Sequence, residues 1–167
     1  PHCLMRFASE AWSMSLDLNL PDAAGTERLG AALAAGTAPG RVLHLRGELG
    51  AGKTTLARGL LHSLGYAGRI KSPTYAVVEP YSLSRLNLYH FDFYRFSDKA
   101  EWVNSGFREY FNGDSACIVE WPERPEGLLP PPDLEVRLEV AGEGRRALIR
   151  ACTSSGESWL SSLPSSL

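Results

Sequence analysis

The run Gly47-Glu48-Leu49-Gly50-Ala51-Gly52-Lys53-Thr54 sets a lysine and a hydroxyl behind three glycines, in the phosphate-loop spacing of Gly, four residues, then Gly-Lys-Ser/Thr. Each residue type has a chemical reason. Glycine admits positive φ and close backbone approach, so successive amide N–H groups can turn inward around phosphate oxygens at a helix N-terminus. The Lys53 ammonium would reach the outer phosphates, the Thr54 hydroxyl suits Mg2+, and Thr55 adds a second hydroxyl beside them. A glycine-rich turn alone would share this composition but not the flanks. Val42-Leu43-His44-Leu45 reads as a short buried strand and Lys53 to Leu64 as a helix, which is the context the motif requires.

A phosphate site of this kind needs acids beyond the C-terminal ends of strands, because Mg2+ is hard and prefers oxygen ligands. Glu120 follows the apolar run Ala116-Cys117-Ile118-Val119, as a Walker-B type acid does, and Asp92 lies near the end of a strand at Leu86 to Phe93. A lone acid at a strand end is otherwise commonly a solvated surface charge, a reading that the phosphate loop elsewhere in the chain weakens. His90 stands two residues before Asp92 and so shares its face. That fits a metal pair, a base with its orienting partner, or simply a buried hydrogen-bonded histidine. Ser72-Pro73-Thr74-Tyr75 lies after the loop's helix, where nucleotide switches carry a threonine that senses the γ-phosphate, although Ser-Pro also favours an ordinary turn. Arg95, Arg145 and Arg146 are candidate phosphate or partner contacts.

The elements that must position these residues read as one α/β domain over 14–152. Met14, Leu16, Leu18 and Leu20 alternate as a half-buried strand. Pro21-Asp22 opens a helix with Leu29, Leu33 and Ala34 on one face and Gly36 as its stop. The helix after the loop presents Leu56, Leu60, Leu61 and Leu64. Tyr75 to Val78 and Leu86 to Phe93 are expected to pair as an antiparallel hairpin joined through Glu79-Pro80-Tyr81-Ser82. Asp98 to Phe111 reads as two short helices broken at Ser105-Gly106, and Ala116 to Val119 as a central strand covered on both faces. The Pro-rich run Pro122 to Pro132 is irregular. Leu134 to Val140 and Arg145 to Ala151 form a C-terminal β-hairpin about Gly142. The expected sheet is mixed, parallel near the loop and antiparallel beyond it. Residues 1–13 are expected to be an N-terminal extension, either disordered or not native to the protein, with Met5 or Met14 nearer a natural start. The Ser-rich tail 153–167 reads either as a helical turn docked through Trp159, Leu160 and Leu163 or as a frayed end.

Composition narrows the function. A net charge of -2 gives no basic excess for gripping DNA or RNA unaided. Cys3, Cys117 and Cys152 have neither disulfide-framework nor zinc-type spacing. No stretch approaches the ~18 apolar residues of a membrane span, and no secretory signal pattern opens the chain, so a cytoplasmic protein is expected.

The chain resembles the bacterial ATPase family of tRNA threonylcarbamoyladenosine (t6A) biosynthesis, TsaE, formerly YjeE. The matching segments are Gly47 to Leu56, Lys71-Ser-Pro-Thr-Tyr75 running to Val78-Glu-Pro-Tyr81, Leu88-Tyr-His-Phe-Asp-Phe-Tyr-Arg95, and Val119-Glu-Trp-Pro-Glu123. They recur in order over about Asp22 to Arg150. The phosphate loop alone would name only a superfamily. The resemblance implies a P-loop NTPase-like domain in which Leu49, Gly50, Ala51, Gly52, Lys53, Thr54 and Thr55 wrap the phosphates of ATP. It gives Mg2+ to Thr54 and Glu120, and catalysis to Lys53, Asp92 and Glu120, with Asp92 ordering the attacking water at the γ-phosphate side. Ala23, Glu123 and Arg145 fall where the family contacts nucleotide. Glu48 replaces the Asp that the family often has there.

The same resemblance implies an ATPase weak by itself. Its partners would be TsaB and TsaD, the second of which transfers threonylcarbamoyl to adenosine 37 of ANN-decoding tRNAs while the ATP cycle resets the complex. Contact with tRNA would be indirect, through that complex, and no DNA or membrane contact is expected. Two other readings stand beside it: a small-molecule kinase, for which Arg124 in a Pro-rich loop is a poor lid, and a nucleotide-binding interaction module with negligible hydrolysis.

Overall fold

A computed structural model describes residues 3–6, 14–125 and 127–167. The strands are β1 (Cys3–Arg6), β2 (Met14–Leu20), β3 (Val42–Arg46), β4 (Val78–Ser82), β5 (Asn87–Asp92), β6 (Ser115–Glu120), β7 (Leu134–Ala141) and β8 (Gly144–Ala151). The helices are α1 (Ala23–Ala34), α2 (Lys53–Ser63), α3 (Lys99–Asn104) and α4 (Ser154–Ser161), with a 3₁₀ turn at Phe107–Tyr110. Among the described residues the strands form one sheet in the order β1-β2-β8-β7-β3-β6-β5-β4.

The sheet is mixed as expected. β3 runs parallel to both β6 and β7, and β5 parallel to β6. β7 with β8, β2 with β8 and β4 with β5 are antiparallel. β6 is buried at every position because it lies between two parallel neighbours with both faces covered. One face carries an aliphatic core in which Leu29 and Leu33 of α1 and Leu56, Leu60 and Leu61 of α2 meet Leu43, Leu45 and Ile118. The opposite face is aromatic: Phe91, Phe93, Phe96, Trp102 and Phe107 cluster with Val42 and Val119. Within it Phe93 meets Phe107 edge to face at 5.8 Å, a geometry that ring quadrupoles favour.

Three segments sharpen or correct the sequence reading. The strand expected at Tyr75 to Val78 begins only at Val78 and continues through Glu79-Pro80-Tyr81-Ser82, the stretch read as its connection. Residues 74–76 form a turn closed by the Val77 N–H on the Pro73 carbonyl at 2.7 Å, and Val77 has φ 69°. Pro80 fits in a strand because β4 is the sheet's edge, where a missing N–H costs no ladder bond.

The tail takes the docked form. Thr153 caps α4 by accepting from the Gly156 N–H at 2.9 Å, and the buried Trp159 indole donates to the Leu33 carbonyl at 2.9 Å. Of the expected disordered extension, residues 3–6 instead pair with β2 as strand β1, where backbone hydrogen bonds to the sheet edge are available; residues 1, 2 and 7–13 lie outside the described residues. Among the described residues no helix is long and apolar enough to cross a membrane.

Candidate functional site

β3 delivers the chain into the loop and α2 carries it away. Gly52 caps α2 with φ 108°, a left-handed conformation that glycine alone adopts without strain. Gly47 is held against β7: a Cβ there would stand 2.6 Å from the Leu138 carbonyl oxygen. Among the described residues no side chain caps α2 and no acid lies in its first turn, so its leading N–H groups and dipole are left to an anion.

Two cations organise the loop from opposite sides. Lys53, 5% exposed, donates to the carbonyls of Gly47 and Glu48, the latter at 3.0 Å, and its ammonium lies 4.2 Å from the Trp121 ring centre. Burial pushes Lys53 below the usual lysine range, while the carboxylates of Glu120, Glu123, Asp92 and Glu48 pull the other way. Arg145 at the start of β8 donates from Nε to the Ala51 carbonyl at 2.9 Å and from Nη2 to that of Gly50 at 3.0 Å. Those carbonyls are thereby held to one side of the loop.

Sheet register brings the acids together. Asp92 pairs with Glu120 across the parallel β5–β6 ladder, so both side chains leave the same face at the same level. Both are buried, at 4% and 2% exposure. Thr54 Oγ1 donates to Glu120 at 3.2 Å, which ties the loop's helix to β6. Ser72 Oγ contacts both acids, closely at Asp92 Oδ2 and at 3.3 Å from Glu120 Oε2. Thr74 Oγ1 lies 3.4 Å from Asp92 Oδ2, and the Tyr94 N–H donates to Asp92 Oδ1 at 2.9 Å. His90 Nε2 donates to Glu120 Oε2 at 2.6 Å, so the histidine read as a partner of Asp92 is hydrogen-bonded to the other acid.

Of the remaining sequence-predicted residues, Arg95 donates to the Tyr75 hydroxyl at 3.2 Å and Arg146 to Asp17 Oδ1 at 3.0 Å, away from the loop, while most others line two hollows. Ala23, Gly50, Gly52, Thr55 and Arg145 line a small pocket of about 160 Å³ where α1, the loop and β8 meet. Glu123 lies instead in a cleft of about 550 Å³ on the far side of the loop, with Trp121, Glu48 and Arg137, where it is paired to Arg46 at 3.2 Å. Leu49 stands exposed at the loop's tip.

Sequence reasoning did not find the contact of Ser72 with both acids, nor that of His90 with Glu120. The only local signal was the shared face of His90 and Asp92; which acid His90 meets depends on a strand pairing thirty residues distant in the chain. The Lys53–Trp121 contact is equally nonlocal, and Trp121 is set by a positive φ of 57° directly after β6.

The oxygen donors of Thr54 and Glu120 suit Mg2+, and the uncapped helix with Lys53 beside it suits a phosphate chain. Comparison with known proteins places the chain in a family. The family model for the threonylcarbamoyl adenosine biosynthesis protein TsaE matches residues 20–148. The TsaE of Haemophilus influenzae is 43% identical over 120 residues, covering 72% of this chain and 76% of that protein. The TsaE of Bacillus subtilis is 39% identical over 123 residues, covering 74% and 77%. The crystal structure of Bacillus subtilis YdiB superposes with a TM-score of 0.78 at 30% identity, covering 91% of this chain and 95% of that one. With the family model spanning most of the chain and relatives 39–43% identical over more than two thirds of it, the chain belongs to the TsaE family of tRNA threonylcarbamoyladenosine biosynthesis.

Proposed function

We propose that this chain is a Mg2+-dependent ATPase subunit for formation of t6A37 on ANN-decoding tRNAs, acting in the cytoplasm with a TsaB–TsaD pair that its ATP cycle resets. The observation that carries the reading is the meeting of Asp92 and Glu120 at one level of the sheet, with Thr54 of the phosphate loop hydrogen-bonded to Glu120.

The chain's own groups divide the task. Amide N–H groups from Leu49 to Thr55 and the Lys53 ammonium take the phosphate oxygens, supplying positive potential where negative charge builds in the transition state. Arg145 keeps the Gly50 and Ala51 carbonyls turned aside so that the loop's amides face the anion. Ala23 and Thr55 border the pocket next to the loop, where the nucleoside end would leave it. Thr54 and Glu120 would hold Mg2+, which when bound supplies charge neutralisation at the outer phosphates. Asp92 orients the attacking water and accepts its hydrogen bond. Ser72 and Thr74 tie the segment ahead of β4 to Asp92, so occupation of the site bears directly on the order of that segment.

Single-turnover hydrolysis of ATP with and without TsaB–TsaD tests the reading. Acceleration by the partners is the expected result. Binding of ATP with no hydrolysis under either condition would leave an interaction module, and a phosphorylated metabolite in place of free phosphate would make the chain a kinase.

A further inference from the structure

His90 is fully buried, and its ring has one polar contact among the described residues: Nε2 lies 2.6 Å from Glu120 Oε2, while Nδ1 has no partner. A carboxylate only accepts, so Nε2 carries the proton of this bond. Burying Nδ1 without a partner costs folding free energy that an apolar side chain of similar size would avoid. The ring's hydrogen-bonding capacity is thus spent on one oxygen.

The donors around Glu120 are not equivalent. Each hydroxyl has a single hydrogen. That of Ser72 goes to Asp92, its closer acceptor, which leaves the 3.3 Å approach to Glu120 without it. The hydrogen of Thr54 is shared between Oε1 at 3.2 Å and Oε2 at 3.3 Å, and Thr54 is itself assigned to Mg2+. The imidazole N–H is therefore the one short donor that Glu120 keeps whatever the two hydroxyls do. It engages Oε2 and leaves Oε1 toward Thr54 with spare acceptor capacity.

We propose that His90 is a positioning residue for the metal site: its Nε2–H pins Glu120 Oε2 so that Oε1 faces Thr54, ready for the cation or its water. The proposal deepens the Mg2+ role given above to Glu120 and rests on it. Side chains behind a metal-binding group that fix its orientation commonly change metal affinity by roughly 10- to 100-fold when removed.

The test compares His90→Gln, whose amide nitrogen reaches about as far as Nε2, with His90→Asn, whose shorter amide does not, and with His90→Leu. Mn2+ is titrated into the full-length chain with ADP and followed by electron paramagnetic resonance, alongside ADP affinity without metal by calorimetry. His90→Asn and His90→Leu are expected to weaken Mn2+ by roughly 10-fold or more with metal-free ADP affinity unchanged, and His90→Gln to restore most of the loss. Should His90→Leu fold poorly, the Gln and Asn pair, both polar, still decides. Equal Mn2+ affinity for the Gln and Asn variants, or parallel loss of Mn2+ and metal-free ADP binding, overturns the positioning role and leaves the function standing. An unaltered chain that binds ADP but gains nothing from Mn2+ overturns the metal assignment itself.

Discussion

Lys53 holds a buried ammonium against two carbonyls of its own loop, which keeps its charge beside the uncapped N-terminus of α2. Lys53→Ala removes that charged donor and should weaken ATP binding by roughly 1.5–3 kcal/mol, the range for hydrogen bonds to charged groups, as read by calorimetry. The acids behave differently because they act at the outermost phosphate. Asp92→Asn and Glu120→Gln should bind nucleotide nearly as the unaltered chain does and lose roughly 100-fold or more in single-turnover rate. An active Asp92→Asn chain would remove that residue from the mechanism. His44 bears on stability. It is buried on β3 with neither ring nitrogen partnered among the described residues, and burial, helped by Arg46, holds its pKa at about 4. The unfolded chain takes up a proton there as pH falls through 6.5, whereas the folded chain resists until about 4. Stability is therefore full above the first value and drains away across the interval, by at most roughly 3 kcal/mol from this group. Urea unfolding at pH 7 and pH 4.5 should show a smaller difference for His44→Leu than for the unaltered chain.

Among the elements, α4 offers the sharpest prediction. Trp159 fills the aliphatic core and bonds to α1 through Leu33, so Trp159→Ala should cost about 3–5 kcal/mol in denaturant unfolding. Trp159→Phe, which keeps most of the ring volume, should cost less. This helix was only half legible in the sequence, because a Ser-rich stretch has weak helical preference and its anchor lies 126 residues away. β4 was misplaced for a related reason: Pro80 reads locally as a breaker, and only its edge position makes it a strand residue. Where periodicity was strong the reading succeeded. β2, α1, α2, β6 and the β7–β8 hairpin lie where alternation, helical stripes and glycine stops placed them. The loop was legible for the same local reason, since its spacing is its mechanism. The convergence of Asp92 with Glu120 was expected only as two acids at strand ends; its geometry comes from a parallel pairing that no local pattern encodes.

For the whole molecule, the loop and both acids leave the ends of three contiguous parallel strands, β3, β6 and β5. The sheet, sandwiched between the aliphatic and aromatic layers, fixes the distances between the charged groups. What is hung onto this frame from outside is the stretch 72–77, Ser-Pro-Thr-Tyr-Ala-Val, which touches the acids through hydroxyls and brings no formal charge. Apart from the exposed Arg95 guanidinium, which stacks on the Tyr75 ring at 4.4 Å, no charge pair holds that stretch among the described residues, so its attachment and release should depend only weakly on ionic strength. Amide hydrogen exchange at residues 72–77 in 50 mM and 500 mM potassium chloride should give nearly the same protection, even where nucleotide affinity itself falls with added salt.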